Sequence, residues 1–264
     1  MLPKKTKIGH TGTLDPLASG LLVLLIGRAT RLSRYVTDLD KTYTATARFG
    51  AVSSTLDAEG EITRLDTPIP GEDAIRSVLP QFTGDLLQIP PMASALKRDG
   101  VRLYDLRRRG FIVEREARPV TVHALVLTGV DPEEGTATFE VSCTSGTYVR
   151  SLIHDLAAAL GSGAYLTALR RHSVGHLSID YAPTHADLTC DTIDNRIIQP
   201  IEVVSHLPEV EVEVGVGRDT VCNGRRLGKL GVEGSCRVVY GGELLAVYRD
   251  EGDGARAEVV LCAG

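Results

Sequence analysis

The stretch KTYTATARFG, residues 41–50, alternates Tyr43, Ala45, Ala47 and Phe49 against Thr44, Thr46 and Arg48. A period of two over this length fits a strand with one face in a core, because successive side chains of a strand point to opposite faces. TATFEVSC, residues 136–143, repeats the pattern with Ala137, Phe139, Val141 and Cys143 on one side, and TVHALVLTGV, 121–130, reads as a further strand. Helical signals fall around and between them. EDAIRSVLPQF predicts a helix that stops near Pro80, and VRLYDLRRRG predicts a short basic helix ended by Gly110. RSLIHDLAAALG, 150–161, sets Leu152, Ile153, Leu156 and Leu160 on one face, with Gly161 as the residue just past the helix end. Strands and helices are interspersed without a regular βαβ rhythm. That implies an α+β fold with a mixed, mainly antiparallel sheet.

The pattern changes near residue 184. Polar and acidic residues interrupt it, and from about 209 the chain reads as β throughout, in VEVEVGVG, RVVYGG and ELLAVYRD with Gly-rich turns. The expected division is therefore a larger domain over 1–184 and a linker with a small β-rich domain over 185–264. The 264 residues, 43% hydrophobic and 24% charged, suit a water-soluble chain of this organisation. No apolar run reaches the length of a membrane span, the longest being LLVLLIG at 21–27. MLPKKTKIGH has charge but no apolar signal core, and the five cysteines are scattered with no C-x-x-C pair. The expectations are a cytoplasmic protein with neither a disulfide framework nor a zinc site.

Net charge is −5, but it is unevenly spread. Residues 185–264 carry 8 basic and 14 acidic groups, whereas residues 1–50 carry 8 and 3, and 97–118 carry 8 and 4. A polyanion responds to the local field, so a mildly acidic protein with basic faces remains compatible with nucleic acid.

GHTGTLDPLASGLLVLL, residues 9–25, sets one carboxylate, Asp15, between Gly/Thr-rich residues and an apolar run. Asp-Pro is a favourable helix opening, with the Asp capping free N–H groups and the Pro preset for the first helical position. Locally, then, Asp15 reads as a turn or cap residue, and Gly9, Gly12 and Gly20 as loop punctuation. Arg150, on the same local terms, is an exposed arginine at a helix start. Its charge is unfavourable to the helix dipole there, which calls for a compensating partner.

Five segments in order change this reading: GHTGTLDPLASGLL, DKTYTATARFG, SSTLDAEGE, PPMASALKRDGVRLYDLRRRG with EREARPV, and CTSGTYVRSLIHDLAAALGSGAYLTALRR. Residues and spacing together resemble the bacterial tRNA pseudouridine synthases of the TruB type, which modify the T-loop uridine of tRNA. The resemblance implies the pseudouridine synthase fold and, more weakly, a PUA-like C-terminal domain. It implies catalytic roles for Asp15, Arg150 and Tyr43, with Arg150 paired to Asp15 and holding its pKa low. It further implies that His10, preceding Thr11, fills the space left by a flipped nucleotide, and that Tyr148 and Leu169 line the pocket. Lys97, Arg98, Arg102, Arg107, Arg108 and Arg109 are then expected on RNA phosphates. No metal or other cofactor is implied, and the partner is tRNA, bound through its T-loop and T-arm by a monomer. Whether the carboxylate adds to C6 of the base, adds to C1′ of the ribose, or assists proton removal toward a glycal is open at this point.

Family members usually carry a strand and a Lys-Pro-x-Gly-x-Thr-Ser segment ahead of the first motif. No such segment precedes Gly9 here, so the alternative expectation is a weakly stable, catalytically impaired tRNA-binding protein. Two other classes compete. A glycoside hydrolase uses a pair of carboxylates, and no second one stands out in these motifs. A phosphate-binding loop needs Gly-Lys-Ser/Thr, which GHTGTLDPLASG lacks.

Overall fold

The computed structural model describes residues 5–94, 96–98, 100–111, 113–189, 192–212 and 217–262. Its central sheet contains β1 (Ala18–Gly20), β2 (Lys41–Phe49), β3 (Gly84–Gln88), β4 (Arg118–Asp131), β5 (Thr136–Cys143), β6 (Ala164–Val174) and β7 (Leu177–Ser178). The strands lie in the order β7-β6-β2-β5-β4-β3, antiparallel throughout, and β1 runs parallel to β6. The sheet is thus mixed and mainly antiparallel. Along β2 every second residue is buried, as the period of two requires.

Tyr43, Ala45, Ala47 and Phe49 of β2, with Phe139 and Val141 of β5, pack into one core with Leu152, Ile153 and Leu156 of the Val149–Ala159 helix. Each of those three aliphatic side chains is almost wholly buried, which contributes about 1.5–3 kcal/mol apiece. The helix ends where its sequence says it should. Gly161 has φ +67° and Ser162 N–H returns to Ala157 O at 3.0 Å, a closure that a left-handed glycine makes easy.

The helix expected after Asp15-Pro16 does not form. Asp15 O accepts Ala18 N–H at 2.8 Å, closing a turn, and the chain then enters β1. Pairing with β6 is what overrides the local signal. Gly20 has φ +103°, and a Cβ there would lie 2.2 Å from Arg171 O, so the backbones meet at a distance only glycine permits. The apolar run continues instead as the Leu24–Ile26 strand and the short Gly27–Leu32 helix.

Two compact units are present. One comprises Thr13–Leu22 and Asp38–Asp180; the other comprises Met1–Gly12, Val23–Thr37 and Tyr181–Gly264. The second unit therefore takes two early segments in addition to the C-terminal region, which a single cut after residue 184 does not anticipate. The reason is apolar: Leu32 and Tyr35 share a buried cluster with Val204, Val239, Leu244, Val247 and Leu261. Its five-stranded sheet is formed by Glu209–Glu211, Ser235–Tyr240, Glu243–Glu251, Gly254–Val260 and Leu227–Gly228, in that spatial order. The cysteine expectation is corrected here. Cys222, at the end of the Arg218–Cys222 helix, is disulfide-bonded to Cys262 just beyond the last strand, with Cα atoms 5.5 Å apart. Forty residues separate them in sequence, so only the folded sheet brings them together.

Glu258 fastens the early segment in the second unit. Its Oε2 accepts from the Tyr35 hydroxyl at 2.8 Å, from Ser235 Oγ at 2.6 Å and from Arg34 at 2.8 Å, while Oε1 faces Arg249 Nε at 3.2 Å. Burial opposes ionisation, but these donors outweigh it and move the carboxyl from 4.5 down to about 2. A pKa lowered on folding stabilises the protein above the unfolded value, and that contribution is lost as pH falls from about 4.5 toward 2. Glu258→Gln is accordingly expected to melt lower than wild type at neutral pH, by about 2–4 °C per kcal/mol lost. The gap should close in thermal melts taken toward pH 2. A constant gap across that range would refute the charge-based account.

Candidate active site

Arg150, second residue of the Val149–Ala159 helix, is only 3% exposed. A guanidinium taken out of water needs anions and acceptors in fixed directions, and four are present. Nη2 donates to Asp15 Oδ1 at 2.8 Å and to Ala93 O at 2.8 Å. Nη1 donates to Thr55 O at 2.9 Å and lies 3.1 Å from Asp57 Oδ2. Nε has no hydrogen-bond partner among the described residues. The compensating partner required at the helix start is thus a pair of carboxylates.

Each carboxylate has a different freedom. Asp15 is held on its turn by β1 and remains 32% exposed, so one side of it faces open space. Asp57 is buried, and its Oδ1 is taken by Thr55 Oγ1 at 2.5 Å and Glu59 N–H at 3.1 Å. The turn that aims it is tight. Leu56 has φ +66°, and at Gly60 a Cβ would come 2.3 Å from Thr55 Oγ1 and 2.7 Å from Thr55 N. Asp57 carried no role in the sequence reading, because an acid among Ser, Thr and Gly looks like any turn residue. The signal for it is indirect: a buried arginine with one half-exposed acid still has room for a second.

The expectation that Arg150 holds the Asp15 pKa low is corrected by the structure. Burial raises it, Arg150 pulls the other way, and the like charge of Asp57 adds to the rise. Burial wins.

Tyr43 is a core strand residue, as its period predicts, and it faces Arg171 across the β2–β6 pairing. Burial moves its hydroxyl up to about 12, although the hydrogen-bonded Arg171 acts against this. At neutral pH the group is a phenol. Arg171, also missed in the sequence, is buried and donates from Nε to Leu21 O at 2.8 Å, while its own carbonyl accepts Leu21 N–H at 2.8 Å. It thereby fixes the segment that follows Asp15 and contributes positive potential to both Asp15 and Tyr43. Lys41, two positions before Tyr43 on the same strand face, is buried as well, and desolvation lowers its ammonium to about 8.

Leu169 is buried on β6, in register with Ala18 of β1 and Ala45 of β2. Tyr148 is half-buried immediately before the Arg150 helix, and burial raises its hydroxyl pKa. Asp15, Tyr43, Tyr148, Arg150 and Leu169 therefore all belong to one compact unit. His10 and Thr11 belong to the other. His10 is exposed on the Ile8–His10 strand opposite Leu24, and Thr11 is buried with its N–H on Val23 O at 3.1 Å. In the basic stretch the backbone forms the strands Lys97–Arg98 and Val101–Arg102 and the helix Leu103–Arg108, with Arg109 exposed after it. The side chains of Lys97, Arg98, Arg102, Arg107 and Arg108 lie outside what is described. Among the described residues no cluster of three His, Cys, Asp or Glu is placed to hold a metal ion, and no helix is long and apolar enough to cross a membrane.

Residues 1–149 match the family model described as TruB family pseudouridylate synthase, N-terminal domain. Similar proteins include tRNA pseudouridine synthase B of Cupriavidus metallidurans, 42% identical over 255 residues that span 95% of this chain and 81% of that one. Another is tRNA pseudouridine synthase B of Burkholderia mallei, 46% identical over 213 residues, or 80% of this chain and 70% of that one. Among solved structures, a chain of a Cbf5–Nop10–Gar1 complex superposes with a TM-score of 0.70 at 24% identity, covering 97% of this chain and 77% of that one. A chain of an H/ACA RNP bound to a substrate RNA containing 2′-deoxyuridine gives 0.68 at 23%, with the same coverage. These two likenesses are of fold.

The shared guanidinium makes opposite predictions for its surroundings. Asp57→Asn removes a like charge, so the Asp15 pKa should fall. Arg150→Gln removes the opposing cation, so it should rise. Carboxyl NMR titration of Asp15 in the two variants reads both directions, and movement of the same sign in both would contradict the arrangement.

Proposed function

This chain belongs to the TruB family of pseudouridylate synthases, RNA-modifying isomerases, and from that premise we propose that it converts the T-loop uridine of tRNA to pseudouridine. The observation that carries the reading is the Asp15–Arg150 pair, a half-exposed carboxylate held in one direction by a buried guanidinium. The reaction breaks the bond between N1 of uracil and C1′ of ribose, turns the base, and joins C5 to C1′. The C5 proton is then lost, while N1 gains one, so the product is an isomer. A base extruded from its stack has to stay captive through these steps.

Asp15 serves the glycosidic cleavage in its ionised form, whether it adds to C1′, adds to C6, or takes up the C2′ proton on the way to a glycal. Arg150 orients the carboxylate and favours its charge against the burial that opposes it. Asp57 holds the other side of the guanidinium, so Arg150 is a fixed bridge. Tyr43, a neutral phenol beside Arg171, offers an aromatic wall and a hydroxyl to the captive base, and Leu169 and Tyr148 close the pocket around it. His10 fills the gap the base leaves, with Thr11 holding its strand. Lys97, Arg98, Arg102 and Arg107 to Arg109 neutralise backbone phosphates, which positions the RNA without reading its sequence.

Two experiments test this. With a T-loop stem–loop RNA, Asp15→Asn should lose pseudouridine formation to background while binding stays within a few-fold, because the amide keeps the size and loses the charge. Substantial turnover by that variant would return Asp15 to a turn role, and RNA bound by the wild-type chain without any product would favour the binding-only alternative. Replacing two or three of the basic residues between Lys97 and Arg109 by Ala should weaken RNA binding and flatten its salt dependence, by roughly 0.7–0.9 of slope for each phosphate no longer neutralised. An unchanged slope would remove the stretch from the interface.

A further inference from the structure

Strand β3 ends at Gln88, whose side chain is buried although it belongs to no apolar cluster. Its amide meets the backbone of one residue at two points. Nε2 donates to Tyr148 O at 3.0 Å, and Oε1 accepts Tyr148 N–H at 2.6 Å. Tyr148 is the residue from which the Val149–Ala159 helix starts, in extended conformation and with no side-chain capping bond of its own. A helix start is ordinarily held by a Ser, Thr, Asp or Asn at that position. Here a glutamine from the edge of the sheet does the holding from outside. The same segment is bonded twice more to the first turn: Ile89 O accepts from Ser151 Oγ at 3.3 Å, and Ala93 O accepts from Arg150 Nη2 at 2.8 Å.

We propose that Gln88 is a positioning residue for Arg150: by fixing both polar groups of Tyr148 it sets where the helix begins, and so the direction from which the guanidinium reaches Asp15. The inference rests on the reading of Asp15 and Arg150 as the reacting pair of a pseudouridine synthase. Arg150 lies two residues beyond the clamp, and its fork has to meet Asp15 and Asp57 on opposite sides with little slack. Without the amide, the Tyr148 N–H loses this partner and its C=O keeps the helical bond from Leu152 N–H at 3.0 Å, so a first turn that shifts to satisfy the N–H again carries the guanidinium with it. Misplacement by about 1 Å costs on the order of a hundredfold in rate where orientation supplies much of the catalysis. Affinity for RNA has no such dependence, because Gln88 is buried and its amide is spent on Tyr148.

The test compares wild type, Gln88→Met and Gln88→Glu with a T-loop stem–loop RNA as probe. Methionine keeps the length and removes both hydrogen bonds. Single-turnover pseudouridine formation at saturating RNA should fall about a hundredfold with the RNA dissociation constant within a few-fold. The Asp15 carboxyl, followed by NMR titration without RNA, should titrate higher than in wild type as Arg150 moves off. Gln88→Glu retains both hydrogen bonds only while the new carboxyl is protonated, so its rate relative to wild type should decline as pH rises. An Asp15 titration and a saturating rate both equal to wild type in Gln88→Met would overturn the proposal, and so would a loss confined to RNA affinity. If Gln88→Met does not fold, a pH-independent rate ratio for Gln88→Glu overturns it instead. Wild-type protein that makes no pseudouridine would defeat the functional reading alone, since the Asp15 titration still decides what Gln88 positions.

Discussion

The guanidinium of Arg150 ties together four pieces of chain that are distant in sequence: the turn at Asp15, the turn from Thr55 to Asp57, the carbonyl of Ala93, and the helix that carries the arginine itself. Removing such a group from water is expensive, and the cost is offset only when its donors meet acceptors in the plane of the fork. The local structure around it reads as the set of devices that achieves this. Leu56 accepts a left-handed backbone, Gly60 leaves room for Thr55, and Gly20 lets β1 lie against β6 so that Asp15 stands where the fork ends. Two carboxylates share this cation: burial and, less strongly, the like charge of Asp57 work against the ionised form of Asp15, while Arg150 and Arg171 favour it.

Asp15 shows how a turn residue and an available carboxylate occupy one position without conflict. Its carbonyl oxygen closes the turn by accepting Ala18 N–H, which leaves the side chain free. A capping aspartate would spend its carboxylate on backbone N–H groups. In this fold the chain passes from the turn into a strand, no helix N-terminus competes for the oxygens, and the carboxylate faces Arg150.

Much of the central unit was legible because its signals are local. The alternation in 41–50 and 136–143 reports the β2 and β5 strands directly, and the apolar face with Gly161 reports the helix and its end. What escaped depends on partners far away in the chain. The strand after Asp15 exists because β6 is there to pair with it, and its Asp-Pro opening points locally to a helix. Segment 23–37 joins the C-terminal sheet through Leu32 and Tyr35, whose apolar character does not say which surface they cover. Cys222 and Cys262 look unrelated until the Arg218–Cys222 helix and the last strand meet. At the site, Asp15, Arg150 and Tyr43 were reached through family likeness, since each has a plain local reading. Asp57 and Arg171 went unassigned because only the burial of Arg150 and the approach of β1 to β6 give them work.

The second carboxylate also bears on how the proposed chemistry compares with hydrolysis. A glycoside hydrolase needs two acids that both reach the scissile bond, one to protonate and one to attack or to activate water. Arg150 does have two acids beside it, which on a count of carboxylates alone would favour that class. Their environments separate them. Asp57 is buried, with Oδ1 on Thr55 and Glu59 and Oδ2 on Arg150, so both its oxygens are occupied. Asp15 has one side open, and Tyr43 near it is held as a neutral phenol by burial. Of these two carboxylates only that of Asp15 is open to solvent. Isomerisation of a captive base asks for that arrangement, because the bond broken and the bond made share the same ribose carbon and no water has to be activated between them. A hydrolase built here would have to free Asp57 from Arg150, and the guanidinium would then stand buried with one anion where it now has two.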